Sequence, residues 1–422
     1  MNILLIGSGG REHAMAMKMA ESTLCDRLYC SPGNPGTDEC AENVPLDLGD
    51  MEALGRFLEE NAIDLIVSGP EQPLVDGLHD RLLESGALDG RCFFGPEQAG
   101  AQLEGSKDFA KEFMVRNQIP TAAYRSFHAT EKQQAKEYLQ EVAPPFVLKA
   151  DGLAAGKGVI ITETIEEAEQ ALDELMGGAL GDAGKTVVIE AFLKGREFSV
   201  FVMTNGEDAV WLPTAKDYKR IGEGDVGPNT GGMGSISPVP FLDETLRSKV
   251  DERIVQRTLK GLKKEKLPFL GFLFFGLIEV EGEPFVIEYN VRLGDPETQS
   301  ILPRTEGDLL AAMWDLANGN TPSALGEKEE HSASVILASK GYPGSYKKGA
   351  PISLNGLGSN VRVIHAGTAH DGSGKLVTSG GRVLAVNAVG GRLSDCLKNV
   401  YAAIGEIEFD GMQYRRDIGS GL

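Results

Sequence analysis

The chain reads as a multidomain protein of α/β and α+β classes: a parallel α/β unit, then α+β segments, then a small mixed domain. Three observations predict this. Its 422 residues exceed what one hydrophobic core organises. Residues 1–103 alternate short apolar runs with helix-period segments, the pattern of a parallel sheet. A polar stretch from Asn318 to His331 separates the body from a last set of short strands. The expected division is 1–103, 104–325 with a mobile lid over roughly 122–192, and 326–422.

Ile3-Ile6 is the first strand, and a helix from Glu12 follows the turn Gly7-Ser8-Gly9-Gly10. Leu28-Cys30, Leu65-Ser68 and Cys92-Phe94 continue the sheet, with helices near Met51-Asn61 and Leu74-Ser85 between them. A helix carrying Gly105-Ser106-Lys107 opens the middle region, and Ile119-Pro120-Thr121 breaks it before strands at Phe146-Ala150 and Val159-Thr162. Thr186-Glu190, Glu197-Met203 and Ala209-Pro213 read as antiparallel strands. The Gly/Pro/Asn-rich stretch Gly222 to Gly234 is too long for a simple turn, and long ordered loops are usually functional. A basic helix, Arg247 to Lys266, precedes a hairpin of Phe272-Val280 and Phe285-Tyr289. Ser334-Ala338, Val361-Ala366 and Val383-Asn387, with a helix near Cys396-Ile404, make the last domain.

Sixty-two acidic against 41 basic residues leave a net charge of −21, a field that repels nucleic acid and anionic membrane. An anionic substrate must then be met by local Lys, Arg, metal or backbone N–H groups, and the 53 glycines are a source of such amides. Five cysteines without a C-x-x-C pair argue against zinc knuckles and a disulfide framework, and fit a reducing cytoplasm. No run approaches the ~18 apolar residues of a membrane span, and Ile3-Ile6 is too short for a signal peptide. A cytoplasmic protein is expected.

Four segments carry chemistry. Gly7-Ser8-Gly9-Gly10-Arg11-Glu12 places amides and a helix N-terminus after the first strand, where a phosphate binds; the dinucleotide pattern fails because its third glycine is Glu12. Gly69-Pro70-Glu71 lies at the same carboxyl edge, with Glu71 either a ribose ligand or an ordinary first-turn acid. Lys149 to Val159 joins two strands through glycines and two lysines and is not a Walker loop, since a strand follows and Gly158 stands where Ser or Thr is required. A flap over a triphosphate accounts for both lysines. Finally, Glu288 and Asn290 sit two apart on a strand and share a face with Arg292, a donor set for a hard cation beside a guanidinium.

Together, Lys149 to Val159, the Glu190-Leu193 linker and Ile287-Glu288-Tyr289-Asn290-Val291-Arg292 resemble the ATP-grasp superfamily of carboxylate-amine ligases. More narrowly, Gly7 to Ala14, Pro32-Gly33-Asn34-Pro35-Gly36, Gly227 to Gly234 and Arg292 to Gln299 are similar to the family of phosphoribosylamine:glycine ligases, the glycinamide ribonucleotide synthetases. The similarity extends to Gly341-Tyr342-Pro343-Gly344 and Thr378-Ser379-Gly380-Gly381-Arg382.

That resemblance implies an ATP-grasp fold behind a Rossmann-like N-terminal domain. It implies ATP-dependent ligation of glycine to 5-phosphoribosylamine through glycyl phosphate, the second step of de novo purine synthesis, by a monomer or homodimer. It places ATP on Lys107, Lys149, Gly156, Lys157, Gly158, Glu190, Phe192, Leu193 and Glu197, and Mg²⁺ or Mn²⁺ on Glu288 and Asn290. It places the substrates on Gly9, Gly10, Arg11, Glu71, Asp217 and Arg292, with Arg292, Lys149 and Asp295 catalytic. Another ATP-grasp carboxylase or formyltransferase of purine metabolism would share the cleft; a nucleotide-binding regulator would share the ATP site without turnover.

Three positions depart from the family pattern. Lys216-Asp217-Tyr218-Lys219-Arg220 has tyrosine where histidine is common, so no histidine base can be invoked. A further metal carboxylate is often found twelve residues before Glu288, where this chain has Gly276, and Glu279 is the nearest substitute. Ser339-Lys340-Gly341 carries a lysine where glycine is usual.

Overall fold

The computed structural model describes residues 1–153, 158–178, 181–356 and 358–421. Strands β1 (Asn2–Gly7), β2 (Arg27–Pro32), β3 (Glu42–Asn43), β4 (Ile63–Ser68) and β5 (Cys92–Phe94) form a parallel sheet in the order β3-β2-β1-β4-β5. The unbroken apolar run of β1 follows from burial on both faces. Ile3 and Leu5 share a core with Met15 and Met19 of helix α1 (Gly10–Ala20), while Leu4 and Ile6 share another with Leu54 and Leu58 of the helix Met51–Glu60. The turns after β1, β2 and β4 therefore emerge together at the carboxyl edge, where open α/β sheets bind ligands.

Next come β6 (Tyr124–His128), β7 (Phe146–Ala150), β8 (Val159–Thr162) and β9 (Thr186–Ala191), an antiparallel sheet ordered β6-β9-β7-β8. Phe146, Leu148 and Ala150 pack with Ala168 and Leu172 of a covering helix, so the two-residue period turns Lys149 to the opposite face. β6 was not anticipated from sequence.

Strands β10 (Arg196–Thr204) and β11 (Ala209–Trp211) begin a second antiparallel sheet, which the chain then leaves. It forms β12 (Lys216–Asp217), β13 (Arg220–Gly222), β14 (Val226–Asn229) and β15 (Gly234–Ser237) before returning as β16 (Gly271–Val280) and β17 (Glu283–Asn290). The central sheet is ordered β11-β10-β16-β17. The long glycine-rich stretch expected as a loop holds the turn and second strand of the β13–β14 hairpin. The basic helix runs as Glu244–Val250 and Gln256–Glu265 with a wide π turn, Asp251–Val255, between them.

β12 and β15 join the C-terminal sheet, with strands 331–339, 382–390 and 361–365 following in that order. The helix Leu393–Ile404 covers it through Cys396, Val400 and Ile404. Among the described residues no helix is long and apolar enough to cross a membrane.

Candidate active site

Gly276 on β16 pairs with Glu288 on β17 and with Ser199 on β10, so the position twelve residues before Glu288 does face it. A Cβ on Gly276 would stand 2.9 Å from Glu288 Cγ, so glycine there makes room for the carboxylate. The register slips beside this pair, leaving Ile287 as a bulge whose carbonyl accepts from Lys149 Nζ at 3.2 Å. Glu279, considered as the substitute ligand, is engaged elsewhere. Its carboxylate accepts from Arg196 Nε at 2.9 Å and from Gly282 N at 2.5 Å, closing the β16–β17 turn.

Asn290 Nδ2 is buried without a hydrogen-bond partner. A half-turn of the amide presents its oxygen instead, at no cost in broken hydrogen bonds, so this end of the side chain fits a cation. Among the described residues no group of three or more His, Cys, Asp or Glu could hold a metal unaided. An ion such as magnesium keeps waters and phosphate oxygens, so two protein oxygen donors, as Glu288 and Asn290 offer, would be enough to hold one.

Lys219, absent from the sequence-derived site, lies among the acids. Its Nζ is 3.7 Å from both Glu288 and Glu197 and 4.0 Å from Asp217. Asp217 and Lys219 are two apart, the spacing that flagged Glu288 and Asn290, and this was the available signal. Burial raises the Asp217 carboxyl against the opposing Lys219 charge; burial and then Asp217 push Glu297 up to about 8. Glu288 is penalised by burial, yet Lys219, Lys149 and Lys107 hold it below the usual carboxylate range.

Lys149 Nζ is 2.9 Å from Glu190 Oε1, and the buried Lys111 is 2.8 Å from Glu190 Oε2. The Glu190 carboxylate, expected at the adenine linker, is therefore turned inward between two ammonium groups. Burial pushes Lys111 down to about 8. Past Glu190 the chain surfaces, with Phe192 exposed and Leu193 half-buried. Lys107 donates to Gly152 O at 2.8 Å, and Gly158 O accepts from Ala150 N at 2.7 Å. Gly156 and Lys157 lie outside the described residues.

At the carboxyl edge of the parallel sheet, Glu12 fills the place of the missing third glycine with a structural task. Its carboxylate accepts from Gly9 N and Arg11 Nε, both at 2.6 Å, and a Cβ on Gly7 or Gly69 would collide with its Cγ. Arg11 donates to Leu293 O at 3.1 Å. Glu71, one of the expected ribose ligands, pairs with Arg292 Nε at 3.2 Å, and that charge pulls its carboxyl down to about 2. Arg292 also meets Glu104 at 2.6 Å; burial pushes Glu104 up to about 7, and its other oxygen accepts from Val291 N. Sequence reasoning missed Glu104, since nothing in the last turn of the helix Gln98–Gly105 marks a contact 188 residues away.

Gly9, Asn34 and Asp295 face Thr368, Ser379 and Arg382 of the C-terminal domain across a cavity of about 420 Å³. Arg382 pairs with Asp295 Oδ2 at 3.0 Å and donates to the carbonyls of Gly231 and Asp295. Asn34 Nδ2 donates to Ser8 O and His365 O, joining the N-terminal glycine turn to the C-terminal domain. His13 beneath that turn accepts the His365 N–H at Nδ1. Burial pushes both imidazoles down to about 4.

Profiles of three domains of phosphoribosylglycinamide synthetase match successive parts of the chain: the N domain over 1–104, the ATP-grasp (A) domain over 105–298 and the C domain over 332–421. The phosphoribosylamine–glycine ligase of Agrobacterium fabrum is 47% identical over 421 residues, covering 99% of this chain and 98% of that one. That of Salmonella typhimurium is 45% identical over 428 residues, with the same coverage. The crystal structure of the Thermotoga maritima phosphoribosylamine–glycine ligase superposes with a TM-score of 0.85 at 35% identity, covering 99% of this chain and 100% of that one. A biotin carboxylase from Campylobacter jejuni shares the fold at 18% identity, with a TM-score of 0.72 over 98% of this chain and 92% of that one.

Proposed function

The chain belongs to the phosphoribosylglycinamide synthetase family and is an ATP-dependent ligase of purine biosynthesis, and from that premise we propose how its residues join glycine to 5-phosphoribosylamine. Lys107 and Lys149 meet the ATP phosphates, and the edge from Ala191 to Leu193 receives adenine, with Phe192 against it and Glu197 on the ribose. Glu288 and Asn290 hold a magnesium or manganese ion, which neutralises triphosphate charge when bound. Phosphoribosylamine occupies the 420 Å³ cavity, its phosphate near the Gly10 amide at the N-terminus of α1 and near Arg382, the Gly9 amide being held by Glu12. Asp217 takes the glycine ammonium, and Arg292 faces the transferred phosphoryl group.

A glycine carboxylate oxygen attacks the γ-phosphorus and ADP leaves, giving glycyl phosphate. The amine of phosphoribosylamine then attacks the acyl carbon, phosphate departs with the bond electrons, and the proton shed by the nitrogen goes to the departing phosphate. No protein nucleophile is needed. Arg292 and Lys149 offset charge on the transferred group, and they are pre-oriented to do so by Glu71, Glu104 and Glu190. The observation that carries this reading is the single loop from Asn290 to Asp295. Asn290 ends the metal strand, Arg292 lies between two carboxylates, and Asp295 lines the cavity.

Coupled detection of ADP, with glycine and freshly generated phosphoribosylamine omitted in turn, tests the scheme. Sustained ADP release, beyond one turnover, is expected only with both. Release at an unchanged rate without glycine would overturn it.

A further inference from the structure

The segment Lys216 to Arg220 presents alternate side chains to two different environments. Asp217 and Lys219 face Glu197 and Glu288 in the cleft, while Tyr218 between them is buried in the C-terminal core with Ile236, Val335 and Ile418. Residue 218 is therefore turned away from the reacting groups, and neither histidine nor tyrosine there reaches them. What its side chain does reach is the end of the chain. Tyr218 Oη accepts from Gly419 N at 2.9 Å and lies 3.4 Å from Ser420 O.

Around that contact the tail grips the same segment from several sides. Arg415 is 1% exposed, with its guanidinium over the Tyr218 ring. It donates to Arg220 O at 3.0 Å and pairs with Asp225 at 2.6 Å and Asp417 at 2.7 Å. Asp417 also accepts from Gly224 N, and Arg416 N donates to Glu223. A buried guanidinium is stable only when its donors are filled, so these bonds fix the β13–β14 hairpin and the residues leading into it. On a strand, holding residue i fixes the direction of i−1 and i+1.

We propose that Arg415 and Tyr218 are positioning residues: the C-terminal tail, locked on the back of the 216–220 segment, sets Asp217 and Lys219 in the glycine subsite. This rests on Asp217 receiving glycine. Neither Arg415 nor Tyr218 touches a substrate.

The test is steady-state kinetics of Arg415→Ala and Tyr218→Phe in the full chain, beside the unaltered enzyme, whose dependence on both substrates carries the functional reading independently. Displacing Asp217 and Lys219 raises the glycine KM roughly tenfold in Arg415→Ala and a few-fold in Tyr218→Phe, with the ATP KM within about twofold. Arg415→Lys, which keeps one ion pair, falls between. Tyr218→Phe removes one hydroxyl and keeps the ring, so the test survives if Arg415→Ala fails to fold. A purely structural role lowers the active fraction and leaves every KM unchanged, and that result would overturn the proposal. So would an equal rise in all three KM values, or an unchanged glycine KM in the folded Tyr218→Phe.

Discussion

Gly276 stands across β16 and β17 from Glu288, so close that a methyl group on Gly276 would press on the Glu288 side chain at Cγ. Gly276→Ala is expected to displace Glu288 and raise the Mg²⁺ concentration for half-maximal activity about tenfold, with a stability loss of about 1–3 kcal/mol from overpacking. Gly276→Asp, despite adding the carboxylate that the ATP-grasp resemblance led one to expect, is expected to be worse. A metal titration of activity, with urea unfolding in parallel, checks both; an unchanged metal requirement in Gly276→Ala would refute the assignment.

Arg382 ties the C-terminal domain to Asp295 at the cavity wall. Arg382→Gln removes the ion pair from the partly buried Asp295 carboxylate, leaving it Gln299 and the more distant Arg11 and Arg292 charges, at a cost of about 2 kcal/mol in the site it lines. The expected outcome is a phosphoribosylamine KM raised at least tenfold with the ATP KM little changed. Equal effects on both substrates would place Arg382 outside the cavity's function.

His13 and His365 join the N- and C-terminal domains as neutral groups, with folded values of about 4 against 6.5. The unfolded chain therefore binds more protons than the folded one between those limits. Stability is expected to be full above pH 6.5 and to fall as pH drops towards 4, by on the order of 3 kcal/mol per imidazole as a ceiling. His13→Gln, whose amide oxygen can still accept from His365 N, is expected to flatten that slope. Urea unfolding of both proteins at several pH values measures it, and parallel slopes would contradict the assignment.

Lys111 shares Glu190 with Lys149 in a buried triad. Lys111→Met removes one partner and is expected to destabilise the protein by about 3 kcal/mol. With Glu190 left to Lys149 alone, the Lys149 ammonium is expected to be less available to the ATP phosphate proposed for it, and ATP affinity to fall. Denaturant unfolding and ATP affinity read the two effects separately; wild-type values of both would show that the triad does not support the nucleotide site.

Residues that serve one local period were legible in the sequence. Glu288 and Asn290 follow from strand alternation, and β1 from an apolar run bounded by glycine. Residues whose task is to hold another side chain were not. Glu104 and Arg382 act on Arg292 and Asp295 across 188 and 87 residues of chain, and no local pattern encodes such a distance. Glu12 shows the converse. Its mismatch to the dinucleotide pattern was visible, but the reason, a side chain filling the space of absent Cβ atoms, needed the neighbouring glycines in three dimensions. Glu190 and Glu71 had a visible location and an invisible orientation: both carboxylates turn to cations of the protein.

The borrowing of β12 and β15 by the C-terminal sheet has a consequence for biosynthesis. While the ribosome is still making residues beyond 330, β15 has no partner on one side, and the segment bearing Asp217 and Lys219 has no backing. Long-range pairings of this kind form late. A chain cut short by a nonsense codon after the ATP-grasp region would carry Lys107, Lys149 and β17, yet leave an open sheet edge where the C-terminal domain should back the proposed glycine site. Such an edge invites pairing with other chains, so the truncated product is a substrate for aggregation and proteolysis.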